Sequence, residues 1–92
     1  MATIELNHKK WFLKGNITFK EILSILDQVN QYDWKESITL DLSDVIEIDT
    51  TLITFILEQK RQAKKFGKEF NIKNIPESLK SLATLYGIEK LI

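Results

Sequence analysis

Between Ser37 and Phe66 the spacing of apolar side chains changes from two residues to that of a helical turn, and this change limits the fold more than any other feature of the chain. Ser37-Ile38-Thr39-Leu40-Asp41-Leu42 alternates as a half-buried strand does. Leu52, Phe55, Ile56, Gln59, Ala63 and Phe66 then fall on one stripe of a helix over residues 50–66, and Ile53 and Leu57 widen the apolar face of its first half. The stretch between them, residues 43–49, reads as a loop with apolar anchors. Asp49 starts the helix, and Gly67 is a left-handed stop. A strand joined to the next strand through a helix implies a parallel neighbour reached by a right-handed crossover.

The same two periods recur on either side. Thr3-Ile4-Glu5-Leu6 and Trp11-Phe12-Leu13 read as strands joined by a turn over residues 7–10, the second ending at Gly15-Asn16, and they are close enough to form a hairpin. Thr18 followed by Glu21 forms a capping-box pattern ahead of a helix with the stripe Ile22, Leu23, Ile25, Leu26 and Val29, which ends near Gln31. Trp34 anchors the connection to the next strand. Phe70-Asn71-Ile72 is a strand, Pro76 suits the first position of a last helix, and Leu79, Leu82, Ala83 and Tyr86 give its stripe before Gly87. The closing residues 88–92 are apolar enough to dock back. The order is ββαβαβα, which predicts an α/β fold: a small mixed sheet of about four strands covered by helices.

A chain of 92 residues fits one domain, so residues 1–92 are expected to form a single unit. A domain of this size buries only about 60–65% of the surface its unfolded chain exposes. Most of its apolar side chains must therefore serve the core. The 13 basic and 13 acidic residues cancel, and a neutral chain lacks the basic excess of a dedicated nucleic-acid binder. There is no Cys, hence no disulfide, thiolate metal site or Cys nucleophile. Residues 1–10 lack the apolar stretch of a signal peptide, and the densest apolar run, residues 52–57, is far shorter than a membrane span. The expected setting is a reducing compartment without membrane insertion.

The neutral total hides two opposed patches. Residues 33–49 carry six acids against one base, and residues 58–73 carry six bases against two acids. Such patches can orient a partner, although each charge alone reads as part of a solvated face.

Enzyme signals fail quickly. His8 is the only histidine and sits in a charged turn, so neither a triad nor a metal cluster can be built on it. Gly15, Gly67 and Gly87 are isolated, which leaves no phosphate-cradling loop. Asp41, Asp44, Glu47 and Asp49 suggest a hard-cation site only until their spacing is compared with an EF-hand; a solvated acidic loop fits better. No catalytic residue, cofactor or metal is expected. The informative place is the start of the long helix, where Thr50 follows Asp49. Unpaired N–H groups and the positive end of the helix dipole gather there. A phosphate on Thr50 would be stabilised at that spot, and an unmodified hydroxyl would be free to bond across an interface. By local pattern alone, Asp49 is an ordinary N-cap and Thr50 merely follows it.

The run Asp41-Leu42-Ser43-Asp44-Val45-Ile46-Glu47-Ile48-Asp49-Thr50 resembles the signature of STAS domains, in which D-L-S-x-V-x-x-I-D-[ST] precedes a helix. Leu13-Lys14-Gly15-Asn16-Ile17-Thr18 is similar to that family's entry to the first helix. Gln62-Ala63-Lys64-Lys65-Phe66-Gly67-Lys68 looks like its basic helix end. Ile75-Pro76 and Leu82-Ala83-Thr84-Leu85-Tyr86-Gly87-Ile88 look like its last helix. The likeness covers nearly the whole chain from Trp11 onward. It departs from the pattern at Thr51 and Leu52, where the family commonly has a small residue and Gly. That puts recognition by a conventional anti-sigma kinase in doubt, and it leaves open whether Leu52 turns into the core.

The resemblance implies a non-enzymatic interaction module, and two branches of the family frame its function. In MlaB-type proteins, a small cytoplasmic subunit binds the ATPase (MlaF-like) of a phospholipid ABC transporter that maintains outer-membrane lipid asymmetry. Thr50 and the Leu82-to-Tyr86 run fit that branch. In anti-sigma-factor antagonists, the residue matching Thr50 is phosphorylated by a partner kinase, the anti-sigma factor. The first branch implies contact with an ATPase subunit through Asp49, Thr50, Thr51, Ile53 and Leu57 on the first turns of the long helix. The permease would be reached only indirectly, and the protein would be cytoplasmic, peripheral to the inner membrane through its partner. Lys64 and Tyr86 are further interface candidates; Tyr86 fits equally well as a core residue with its hydroxyl at the surface.

Overall fold

The structure, a computed structural model, describes residues 2–92. Its elements follow the expected order: β1 (Thr3–Asn7), β2 (Lys10–Ile17), α1 (Ile22–Val29), β3 (Ile38–Ile48), α2 (Thr50–Lys65), β4 (Phe70–Lys73) and α3 (Glu77–Leu85), closed by a 3₁₀ turn over Glu89–Leu91. The four strands form one mixed sheet in the order β1-β2-β3-β4. β1 and β2 make an antiparallel hairpin with Asn7 opposite Lys10, and β2/β3 and β3/β4 are parallel.

One face of the sheet is apolar and the other is wet. Ile4, Trp11, Leu13, Ile17, Ile38, Leu40, Leu42 and Phe70 are buried, while the residues alternating with them include Thr3, Glu5, Lys14, Asn71 and Lys73, all exposed. Right-handed crossovers between strands in sequence order place the helices on a common face. There α1 touches α2, and α2 touches α3. From the helices, Ile25, Val29, Leu52, Phe55, Ile56, Ala63 and Leu79 complete the core. Each large side chain buried this way stabilises the fold by about 1.5–3 kcal/mol.

An aromatic cluster closes one end. Trp11 packs on Tyr32, Trp34 and Phe70 with ring centroids 5.5, 5.7 and 5.6 Å away. Trp34 holds a left-handed φ of 52°, a conformation costly for a bulky residue unless packing fixes it, so it anchors the connection into β3 as its position suggested.

Several expected boundaries move. The stretch over residues 43–48 is not a loop: β3 continues through it, and β2 continues past Gly15 to pair Ile17 with Ile48. Alternation fails there because β3 carries extra residues at two places. Phe12 pairs Asp41 and Lys14 pairs Asp44; then Gly15 pairs Val45 and Asn16 pairs Glu47. Gly15, at φ 93°, supplies the backbone freedom at the second irregularity.

The capping box at Thr18 does not form. The Thr18 carbonyl accepts from the Glu21 and Ile22 amides at 2.9 and 3.0 Å, and α1 starts only after Glu21. The Glu21 carboxylate accepts from the Ala2 amide at 3.3 Å instead of turning back to Thr18.

Leu23, Phe66 and Tyr86 leave their stripes, being 68%, 51% and 57% exposed. α1 is too short to bury both flanks of its stripe, and Phe66 and Tyr86 sit at helix C-caps, where the chain leaves the sheet. Pro76 is the N-cap of α3, one position ahead of the place expected.

Candidate functional site

The site is built where β3 ends and α2 begins. Asp49 is extended and caps α2. Its Oδ1 accepts from the Thr51 backbone N–H at 2.9 Å and from the Thr51 hydroxyl, and its Oδ2 accepts from the Phe19 N–H at 2.9 Å. The Asp49 N–H donates to the Ile17 carbonyl at 3.3 Å. One residue thus ties the end of β2, the turn into α1 and the start of α2. Burial pushes the Asp49 carboxyl up, but the bonds from the Thr51 hydroxyl, the Phe19 N–H and the Thr51 N–H outweigh it and hold the group below the ordinary carboxylate value.

The two threonines therefore differ. The Thr51 hydroxyl is committed to Asp49. Thr50, the first residue of α2, is exposed, and among the described residues no hydrogen bond uses its hydroxyl; only its carbonyl is engaged, by the Thr54 hydroxyl at 3.4 Å. Leu52 is fully buried, which settles its direction: it reinforces the core. Ile53, expected at the interface, is 6% exposed and belongs to the core, where it widens the buried stripe of Leu52 and Ile56. Leu57 is half-buried and packed on that core. Lys64 is exposed in the last turn of α2, fourteen residues from Thr50, or about 21 Å along the axis. Tyr86 is exposed at the C-cap of α3, which excludes the alternative that places it in the core.

Sequence reasoning missed two exposed apolar side chains on the segments that lead to Asp49. Phe19, whose amide bonds Asp49, is 74% exposed, and Ile46, the extra residue of β3, is 76% exposed. Beside Phe19 a groove of about 290 Å³ runs between α1 and α2, lined by Ile22, Leu26, Thr51, Thr54, Phe55 and Glu58. The available signal was that Phe19 and Ile46 fit no buried stripe.

The acidic residues do not converge. Asp41 accepts from the Ser43 N–H at 2.9 Å and the Asn74 amide at 3.1 Å, tying β3 to the chain after β4. The Asn74 bond, then the Ser43 N–H, lower its carboxyl below the ordinary value. Asp49 is spent on the cap, and Asp44 and Glu47 are exposed. Among the described residues no group of three His, Cys, Asp or Glu side chains is placed to hold a metal ion. None of their helices is long and apolar enough to cross a membrane.

A small mixed sheet, helices on one side and a capped hydroxyl at the start of α2 define the class: a protein-interaction domain of the STAS type. The family described as "Mlab, STAS domain" matches residues 4–92, and the chain belongs to that family, whose members are generally non-catalytic and bind partner proteins. Two solved structures share the fold. "Crystal Structure Analysis of Mglu" superposes with a TM-score of 0.61 at 24% identity, over 82% of this chain and 19% of that one. "Crystal Structure Analysis of Mglu in its native form" gives a TM-score of 0.61 at 18% identity, over 79% and 22%. The chain thus spans about a fifth of the length of these proteins. A comparison with curated proteins found no match.

Proposed function

We propose that residues 1–92 act as one non-catalytic domain that binds a partner protein through the face around Thr50, as an MlaB-like accessory subunit of a phospholipid ABC transporter. The partner is the transporter ATPase, the permease is reached only through it, and the protein sits on the cytoplasmic side of the inner membrane by that contact. The observation that carries this reading is the Thr50 hydroxyl: exposed, without a hydrogen-bond partner among the described residues, and set on the first turn of α2 directly after the Asp49 cap. An exposed hydroxyl with no internal partner is free to make a directional hydrogen bond to a docked surface.

The experiment is co-purification with an MlaF-like ATPase from the same cell, using the wild type, Thr50→Ala and Thr50→Glu. Loss of the ATPase with Thr50→Glu supports the reading; full retention by both variants removes Thr50 from the contact.

The same exposed hydroxyl supports a second reading, an anti-sigma-factor antagonist phosphorylated on Thr50. The helix N-terminus would stabilise the added charge. Intact-mass measurement on protein from its native source decides it: a phosphate on Thr50 favours this reading, and its absence across growth conditions excludes it.

A further inference from the structure

A second concavity lies further along α2, where its C-terminal half passes the segment joining α1 to β3. It encloses about 270 Å³ and is lined in part by Asn30, Tyr32, Trp34, Gln59, Gln62 and Phe66. Gln59 is the anomaly in it. At 3% exposure it is one of two buried polar residues among the described residues, and the other, Asp41, accepts two hydrogen bonds. Among the described residues no hydrogen bond uses the Gln59 side chain. A buried amide without a partner is destabilising where an apolar side chain of similar size would not be. The only side-chain polar atom sealed from solvent without a partner among the described residues is Asn16 Oδ1, so the Gln59 amide keeps an opening, and the cleft provides it.

The surroundings specify a ligand. Tyr32 and Trp34 stand edge to face with centroids 5.2 Å apart, and Phe66 is half exposed at the rim. The Gln62 amide donates to Glu58 at 3.0 Å, which leaves its carbonyl oxygen as an acceptor. Lys65 stands at the rim, its ammonium 6.0 Å from the centre of the Phe66 ring, with Lys64 before it and Lys68 just past the end of α2, and among the described residues none of the three forms an ion pair; the nearby carboxylates of Glu58 and Asp33 are already paired with Arg61 and Lys35.

We propose that this cleft binds an extended segment of a partner protein in which an apolar or aromatic residue is flanked by acidic ones. The Gln59 amide presents a donor and an acceptor side by side, the pattern that pairs with a peptide backbone. The aromatic walls take the central side chain, and the lysines complement the flanking carboxylates. The volume suits one side chain and falls just below the range of about 300–1,000 Å³ typical of small-molecule sites. Gln59 lies nine residues from Thr50, about 13 Å along α2, so this site stands independently of the Thr50 face.

The test is NMR on the isotope-labelled full chain, following the side-chain amide signals of Gln59 and Asn30 and the Trp34 indole. The probes are acetyl-Glu-Glu-Phe-Glu-Glu-amide, the same peptide with Lys for Glu, and AMP. The acidic peptide is expected to shift these signals saturably with a Kd on the order of 1 mM. Gln59→Leu should weaken binding at least about tenfold while the protein stays folded. Phe66→Ala, at the exposed rim, gives a second loss that does not depend on the core tolerating Leu. Absence of a saturable shift up to about 10 mM overturns the proposal. So does an equal response to the lysine peptide, or undiminished binding by both variants. Saturation by AMP alone overturns the peptide assignment.

Discussion

The Asp49 carboxylate accepts a hydrogen bond from the backbone N–H of Phe19, thirty residues earlier in the chain and 2.9 Å away. Its other oxygen caps α2 through Thr51. The two borders of the candidate site, the apolar Phe19 turn and the hydroxyl-bearing helix start, are thus held by a single side chain.

Removing that side chain should cost more than an ordinary cap. Losing an N-cap acceptor destabilises by about 0.5–2 kcal/mol. Asp49→Ala also strands the Phe19 N–H, so the expected loss is about 2–3 kcal/mol in urea unfolding. Asp49→Asn, which keeps an acceptor oxygen, should lose less than half of that. Hydrogen exchange at the Phe19 and Thr51 amides should quicken in the Ala variant ahead of exchange in the sheet.

Stability should also fall in acid for a stated reason. Asp41 and Asp49 both titrate below their ordinary value of 3.8 in the folded protein. A carboxylate with a lowered folded pKa favours the fold above its unfolded pKa, and loses that contribution as the pH drops through the folded one. The melting temperature should therefore be insensitive to these two groups from pH 7 to about 5 and decline below about 4. Asp49→Asn should flatten part of that decline, measured by thermal unfolding across the pH series.

The neighbouring threonines should separate stability from binding. Thr51→Ala removes a hydrogen bond to a carboxylate and should destabilise by about 1–2 kcal/mol. Thr50→Ala removes an exposed hydroxyl with no internal partner and should stay within about 0.5 kcal/mol of the wild type. Partner co-purification should show the reverse order, with Thr50→Ala the more damaging.

Asn74 offers a test of backbone conformation against side-chain bonding. It sits at φ 58° and donates to the buried Asp41 carboxylate. Asn74→Gly keeps the left-handed backbone and loses only the bond, for about 1–2 kcal/mol. Asn74→Ala loses both, and adds about 1 kcal/mol for a Cβ in that region. Urea midpoints of the two variants should fall in that order.

The order of elements was legible because apolar spacing reports which face of each element is buried, and Ile38, Leu40, Leu52, Phe55 and Ile56 all follow it. Asp49 was legible as a cap for the same local reason. The extension of β3 was not, since the extra residues that pair Asn16 with Glu47 break the alternation that marks a strand. Thr18 shows the limit of local pattern: a capping box was written in the sequence, yet the Glu21 amide went to the Thr18 carbonyl and the Glu21 carboxylate to Ala2. Phe19 left only the weak signal of fitting no buried stripe, and the unpartnered amide of Gln59 left none. Each depends on which distant segment lies beside it, and no period records that.

Leu52 stands where the STAS pattern commonly has Gly, and here it is fully buried. The core has been filled at that point, so returning to the commoner residue should be costly. Leu52→Ala should destabilise by about 2–5 kcal/mol through lost burial and the cavity left behind. Leu52→Gly should add about 1 kcal/mol for a glycine in a helix. Small domains have only about 5–15 kcal/mol in total, so the Gly variant should be partly unfolded at physiological temperature. The urea midpoint should shift with an unchanged slope for Leu52→Ala. Below its unfolding transition the Ala variant should still retain the partner that Thr50→Glu loses. Leu52 has no exposed atoms with which to touch that partner, so equal loss by both variants would instead mean that α2 itself moves when the partner binds.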